Sequence, residues 1–267
     1  MRKIVHISDL HFGTEQPRVA EALLEKIYSI APDVVAVSGD LTMRAKSREY
    51  ESARDYLERI DFPKIIIPGN HDIPLYNIYD RFINPLHRFQ AFITRDPFPT
   101  YADDELVVLG VNSARSAVFK GGRISREQME MVKRIVCDER STHSTVIVIH
   151  HNLLPSPHRN GESLLGRSRE FLDKIDLCGV DLILTGHQHV AYSGTVNKKK
   201  GAHSSTILAA AGSALSDRLR GEPNSFNYLE VSAKNIELNV MEFIDNKFRL
   251  GRRELFAKRG EKWTRDE

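Results

Sequence analysis

Short apolar runs that stop abruptly at polar residues organise this chain. KIVHIS, DVVAVS, KIIIP, LVVLGV, TVIVI and LILT are continuous and mostly rich in β-branched residues. Runs of that kind are apolar on both faces, as expected of strands buried in a parallel sheet. Between them the apolar positions shift to helical spacing. Val19, Leu23, Ile27 and Ile30 mark one helix face, with Pro17 at an early helical position, and Tyr50, Ala53, Leu57 and Ile60 mark another from about Lys46. Ser125 to Val136 predicts a third helix with Ser125 as its N-cap, and a fourth surrounds Phe171. LYNIYDRFINPLHRFQAF predicts short helices broken at Pro85. Beyond His189 the pattern becomes AYSGTV, TILAAAG, FNYLEVS, NIELNVMEFI and KFRLGRR, punctuated at Asn197, Asn224, Lys234–Asn235 and Asp245–Asn246. That rhythm predicts an antiparallel meander. A βαβ part followed by a strand-rich part predicts an α/β fold of two packed mixed β-sheets flanked by helices. No composition break marks a linker, so residues 1–256 read as one domain and 257–267 as a loose basic tail containing Trp263.

What stands at the strand ends carries the chemistry. Asp9 and His11, Asp40, Asn70 and His71, His150, and His187 with His189 lie in SDLH, SGD, GNHD, IHHN and TGHQH. Ligand sites in open α/β sheets collect at the carboxyl ends of strands, so all five clusters are expected on one rim of one sheet. In extended backbone, residues i and i+2 point to one side, so Asp9 and His11, and likewise His187 and His189, can face a common centre. Two carboxylates, one amide and five imidazoles suffice for two metal ions with one residue to spare. Such ligands suit Mn²⁺, Fe or Zn²⁺, and no Cys stands in the motifs to form a thiolate site. Two close cations need a bridging anion, and Asp40 is the natural one because Gly39 before it lets the backbone turn sharply. A metal pair polarises a phosphoryl oxygen and lowers the pKa of bound water from 15.7 to about 7, so no side-chain nucleophile is required. His71 is then the spare imidazole, placed to donate a proton to the leaving group, with Asp72 beside it as an orienting carboxylate.

The ordered set D-x-H, G-D, G-N-H-D, H and G-H-x-H resembles the calcineurin-like metallophosphoesterases across about their whole length. The resemblance implies a four-layer αββα sandwich. It implies one metal held by Asp9, His11, Asp40 and His189, and a second held by Asp40, Asn70, His150 and His187. It also implies that His71 assists departure of the leaving oxygen after attack by a hydroxide bridging the metals. SDLHFG, GGRISREQMEMV and AAAGSALSDRLRGEPNSFNYLEV are similar to the bacterial class III cyclic-nucleotide phosphodiesterase branch. That branch commonly has HHPP where this chain reads HHNLLPSP. A small phosphodiester, a cyclic nucleotide first among them, is the implied substrate. A nucleotide-linked lipid pyrophosphate and a nucleic-acid strand are the alternatives within the fold, and a non-catalytic interaction module is the alternative outside it.

Composition narrows these readings. Lys plus Arg number 38 against 36 Asp plus Glu, a formal net charge of +2, so no nucleic-acid footprint is visible despite KKK at Lys198 to Lys200 and a basic stretch from Phe248. No apolar stretch approaches the ~20 residues of a membrane span. Cys137 and Cys178 lie in apolar settings and read as reduced interior residues. With no leader before the first strand, a cytoplasmic protein is expected. The strand-rich C-terminal part offers an edge for a homodimer. His6 and His151 read as structural, His87, His143 and His203 as surface residues, and His158, Arg159, Asn112 and Arg115 as rim candidates.

Overall fold

The apolar runs form the strands that their composition predicts. In the computed structural model, residues 1–118, 121–139, 143–155, 164–176, 178–196 and 205–266 are described. The first part runs β1 (Arg2–Ile7), α1 (Pro17–Ile30), β2 (Val34–Val37), α2 (Ser47–Glu58), β3 (Lys64–Ile66), a single 3₁₀ turn at Asn70–Asp72, α3 (Ile78–Ile83) and α4 (His87–Phe92). Next come β4 (Thr100–Ala102), β5 (Leu106–Val111), α5 (Arg126–Glu139), β6 (Ser144–Ile149), α6 (Ser168–Asp176) and β7 (Leu182–Thr185). The last part is β8 (Tyr192–Val196), β9 (Thr206–Ala210), β10 (Ser225–Val231), β11 (Asn235–Ile244), β12 (Lys247–Arg259) and β13 (Lys262–Asp266).

Local chemistry sets several boundaries. Pro17 opens α1, where its missing N–H would have no partner anyway. Ser125 Oγ accepts the Gln128 amide at 3.1 Å while Gln128 Oε1 accepts the Ser125 amide at 2.9 Å, a reciprocal cap at the start of α5. Asp245 and Asn246 both take positive φ, 51° and 62°, which makes the two-residue turn between β11 and β12.

These strands build two mixed sheets. One has seven strands in the order β13-β12-β11-β10-β1-β2-β3, and the other has six in the order β4-β5-β6-β7-β9-β8. The alternation of side chains along each strand splits the core into layers. Ile4, Val34 and Ala36 from the first sheet meet Val146, Val148 and Leu184 from the second. Val5, Ile7, Val35 and Val37 pack on the other face against α1 and α2, and Ile147, Ile149 and Ile183 against α5 and α6. The result is helix, sheet, sheet, helix, as expected of two sheets that each bury both faces.

Three features of the fold depart from the pattern along the chain. The antiparallel meander is real only for β10 to β13, because β9 pairs parallel with β7 and carries β8 into the second sheet. Residues 257–266 are not a loose tail but the end of β12 and all of β13. Cys137 and Cys178 are not reduced interior residues but are joined in a disulfide that ties the last turn of α5 to the turn after α6. Their separation of 41 residues hid a proximity that only the packing of α5 on α6 creates.

Trp263 shows what the C-terminal strand contributes. Its indole is 2% exposed, its Nε1–H donates to Asp181 Oδ1 at 3.0 Å, and Lys258 Nζ reaches the same oxygen at 2.7 Å. Asp181 Oδ2 accepts the Thr145 amide at 3.0 Å, so one carboxylate joins the last strands of the first sheet to β6 of the second. Trp263→Ala is expected to lower stability by about 3–5 kcal/mol through lost burial and a partly orphaned carboxylate. Urea unfolding measures this, and a loss below about 1 kcal/mol would show that the strand is dispensable.

Candidate metal centre

The ligand clusters do not share one sheet. Asp9 and His11 follow β1, Asp40 follows β2, and Asn70 and His71 follow β3, all in the seven-stranded sheet. His150 follows β6 and His187 and His189 follow β7, in the six-stranded sheet. The centre therefore lies across the seam where the carboxyl ends of the two sheets meet. Backbone contacts stitch that seam, with His187 N–H donating to Asp9 Oδ2 at 2.9 Å and His150 Nδ1 bonding Ser38 O at 2.7 Å.

Nor do the i, i+2 pairs converge through extended backbone. Asp9, His11, Asp40, His187 and His189 all have positive φ, between 46° and 75°, and make up five of the ten non-glycine residues in that state among those described. Each such residue costs of order 1–3 kcal/mol unless its surroundings hold it, and clusters of them mark functional sites. Here neighbouring loops hold them: Asp9 N–H donates to Gly39 O at 3.1 Å and His11 N–H to Asp40 O at 3.0 Å. Glycines allow the close approach. A Cβ on Gly186 would fall on Ser8 Oγ, and one on Gly69 would fall on the Asp40 carboxylate.

Their side chains point inward with lone pairs free. His11 Nδ1 donates to Thr42 O at 3.3 Å and His150 Nδ1 to Ser38 O, so Nε2 of each ring is the unprotonated nitrogen when the ring is neutral. His189 Nδ1 donates at 3.1 Å to Ser213 Oγ, which donates on to Asp9 O at 3.2 Å. Asp9 Oδ2 accepts from Ser8 Oγ and His187 N–H, while its Oδ1 is buried without a hydrogen-bond partner, as is His11 Nε2. His189 Nε2 stands 3.5 Å from Asp9 Oδ1, and His11 Nε2 stands 3.7 Å from both Asp9 Oδ1 and Asp40 Oδ2. On the other side His150 Nε2 stands 3.4 Å from Asp40 Oδ1 and 3.3 Å from Asn70 Oδ1. Two buried oxygens and several imidazole nitrogens thus face one another with too few protons to bond, an arrangement that cations satisfy. The donor set fits metal ions with nitrogen and oxygen preference.

Electrostatics agree with that geometry. Burial alone would raise Asp9, but His189 and His11 hold its carboxyl well below the usual range. Asp40 is likewise held far down against burial by His150 and His71. Burial presses His150 down, yet the Asp40 carboxylate overrides it and lifts the ring to about 9, so in the absence of a cation a proton on this ring offsets the carboxylate, and ligation would release it. Burial lowers His187 and His189 to about 4, which keeps both rings neutral and able to ligate at ordinary pH.

His71 differs from the ligands. Its Nδ1 donates to Met43 O at 2.8 Å, its Nε2 faces the Arg218 guanidinium at 3.1 Å, and its ring packs edge-on against His11 with centroids 4.8 Å apart. Burial, and after it the neighbouring His11 and the Arg218 guanidinium, push its pKa down against the pull of the Asp40 carboxylate. Asp72 does not orient this ring. Its carboxylate instead accepts the Leu41, Thr42 and Gly69 amides at 3.1, 2.9 and 2.9 Å and joins the loops after β2 and β3.

Among the other candidates, His6 is a fully buried core residue bonded to Ser38 Oγ at 2.9 Å. His151 bonds Ser113 Oγ at 2.7 Å and leaves Nε2 unpartnered, within 4.8 Å of the nearest ligand atoms of His150 and His187. Arg115 turns from the rim to Ala114 O at 2.8 Å and to Gln128 of α5. His158, Arg159, His203 and Lys198 to Lys200 lie outside the described residues. The residues that sequence reading missed are Ser213, Ser216 and Arg218, in the segment SALSDR. Serine next to glycine carries little signal, and the carbonyls of Ser38, Thr42 and Met43 carry none.

Comparison with known proteins follows the same line. A probable cyclic nucleotide phosphodiesterase of Synechococcus is 27% identical over 204 residues, covering 71% of this chain and 74% of its own. Two solved structures share the fold. A purple acid phosphatase from yellow lupin seeds has a TM-score of 0.70 at 15% identity, covering 93% of this chain, which spans only 52% of the lupin protein. A dimetal phosphatase from Danio rerio has a TM-score of 0.65 at 12% identity, covering 93% of this chain and 98% of its own. Among the described residues no helix is long and apolar enough to cross a membrane. The family model described as calcineurin-like phosphoesterase matches residues 2–191, and the chain belongs to that family of metal-dependent phosphoesterases.

Proposed function

We propose that this protein is a phosphodiesterase acting on a small phosphodiester, with a cyclic nucleotide as its substrate. The observation that carries the reading is the seam centre, where the Nε2 atoms of His11 and His150 face Asp40 and those of His11 and His189 face Asp9 Oδ1, with residues from both sheets. Asp9, His11, Asp40 and His189 would hold one cation. Asp40, Asn70, His150 and His187 would hold the other, and Asp40 offers one oxygen to each side. Such a cation pair, Mn²⁺, Fe or Zn²⁺ by its ligands, supplies Lewis acidity at a phosphoryl oxygen and acidifies water.

The chain's own residues do the rest. Ser213, Thr42 O and Ser38 O fix the ring orientations of His189, His11 and His150. Met43 O takes the Nδ1 proton of His71, which leaves Nε2 as the atom that passes a proton to the departing oxygen. An anionic diester near Nε2 favours the protonated ring and so opposes the lowering by burial. The likeness to a probable cyclic nucleotide phosphodiesterase over most of both chains supports the choice of substrate.

One observation favours a second reading. Leu75, Tyr76, Ile78, Tyr79, Phe82 and Ile83 are 45–74% exposed on and just before α3, which begins a few residues after His71. An apolar shelf at that place suits a nucleotide-linked lipid pyrophosphate. The test is one panel under one metal condition, comparing cyclic nucleotides, nucleotide-lipid pyrophosphates and single-stranded nucleic acid. Cyclic nucleotides are expected to turn over fastest, chelation to abolish the activity, and Mn²⁺ to restore it. Equal and poor activity on all three, or activity that survives chelation, would defeat the proposal.

A further inference from the structure

Arg218 is the charged group at the centre that neither metal holding nor proton transfer uses. It sits half-buried with its NH1 group 3.1 Å from His71 Nε2 and 3.7 Å from Met43 Sδ. Neither partner is an anion, and among the described residues no carboxylate forms an ion pair with it. A guanidinium is permanently charged and carries five donors in a fixed fork, so an imidazole lone pair and a thioether satisfy little of it. Placing an uncompensated cation beside residues that gather cations makes electrostatic sense only when an anion completes the site.

The backbone that carries Arg218 is fixed to the metal loops and is not a free surface turn. Ala214 N–H donates to Ser8 O and Asp217 N–H to Thr14 O, both at 3.0 Å, and Ser216 pairs with Glu15. Ser216 Oγ lies 3.4 Å from Asp9 O and 2.9 Å from Ser213 Oγ, the partner of His189. The reach of the guanidinium is thereby set relative to Asp9 and His189.

We infer that Arg218 is a substrate-binding residue that takes a non-bridging oxygen of the substrate's phosphoryl group, exchanging its contact with His71 Nε2 for that oxygen. Substrate arrival then does two things at one atom. It gives the guanidinium its anion, and it frees His71 Nε2 to face the leaving oxygen. This inference rests on the phosphodiesterase reading for its substrate but not for its anion site.

The decisive experiment measures binding of inorganic phosphate to the full-length Mn²⁺-loaded protein by calorimetry, with bound metal counted in the same samples. Arg218→Ala is expected to keep the parent's metal content and to weaken phosphate binding about 10- to 100-fold. Arg218→Lys, which keeps the charge and loses the fork, is expected to fall between the two. KM for an aryl phosphodiester should rise in the same order. Unchanged phosphate affinity in metal-loaded Arg218→Ala would overturn the inference and leave Arg218 as a clamp on His71 alone. Absence of phosphate binding by the parent would overturn it equally. If phosphate binds through Arg218 but no diester is cleaved, the inference stands and the proposed function falls.

Discussion

Asp40→Ala is expected to lose metal and phosphodiesterase activity together, with turnover down by about 10³-fold or more. The magnitude follows from the several kcal/mol of transition-state stabilisation that a metal pair supplies, at 1.36 kcal/mol per tenfold. Asp40 is where the two halves of the centre meet, with Oδ2 3.7 Å from His11 Nε2 and Oδ1 3.4 Å from His150 Nε2. Its Oδ1 also accepts the His71 amide at 2.8 Å, so alanine removes a loop contact as well as a ligand. Asp40→Asn separates the two effects, because an amide oxygen can still accept that N–H but brings no charge to offset two cations. Both variants should therefore bind less metal, and only Asp40→Ala should also lose thermal stability in the metal-free state. Full metal content in Asp40→Asn would show that the charge does not bridge.

His71→Ala should behave in the opposite way. Metal content is expected to stay at the parent's level, while kcat falls by about 10²–10⁴-fold, the usual contribution of a positioned proton donor. The reason is that both ring nitrogens already have partners, Nδ1 at Met43 O and Nε2 at Arg218. The loss should depend on the leaving group. An alkoxide needs the proton and should suffer most, whereas 4-nitrophenolate leaves readily without one and should suffer least. Equal loss on both substrates would remove His71 from proton transfer, and loss of metal would place it among the ligands.

Much of the architecture was legible because it depends on local rules. Asp245–Asn246 reads as a turn and is one, and Ser125 reads as an N-cap and accepts the Gln128 amide as one. The residues that gather at the seam were legible too, because each sits just past an apolar run. Membership of a sheet was not. VVAVS and TVIVI are equally apolar, and nothing in either says that β2 and β6 belong to different sheets. For the same reason β8 and β9 were indistinguishable from the true meander that follows them. Arg218 was invisible for another cause. Its meaning comes from a missing partner, and only three-dimensional neighbours reveal that. Trp263 was misjudged because charged residues around it outweighed one indole.

The strand order of the seven-stranded sheet has a consequence for how this protein comes into being. β1 lies between β2 and β10, and its register pairs Arg2 with Val231 and His6 with Asn227. During synthesis the first strand therefore waits, with one edge open, until more than 200 further residues have left the ribosome. Pairings so distant along the chain are slow to form and leave apolar edges exposed meanwhile. Asp9 and His11 close that waiting strand, and their partners His187 and His189 also arrive late. The candidate ligands can therefore come together only after those distant segments have been made, so a metal ion is expected to enter a formed fold and not to nucleate it.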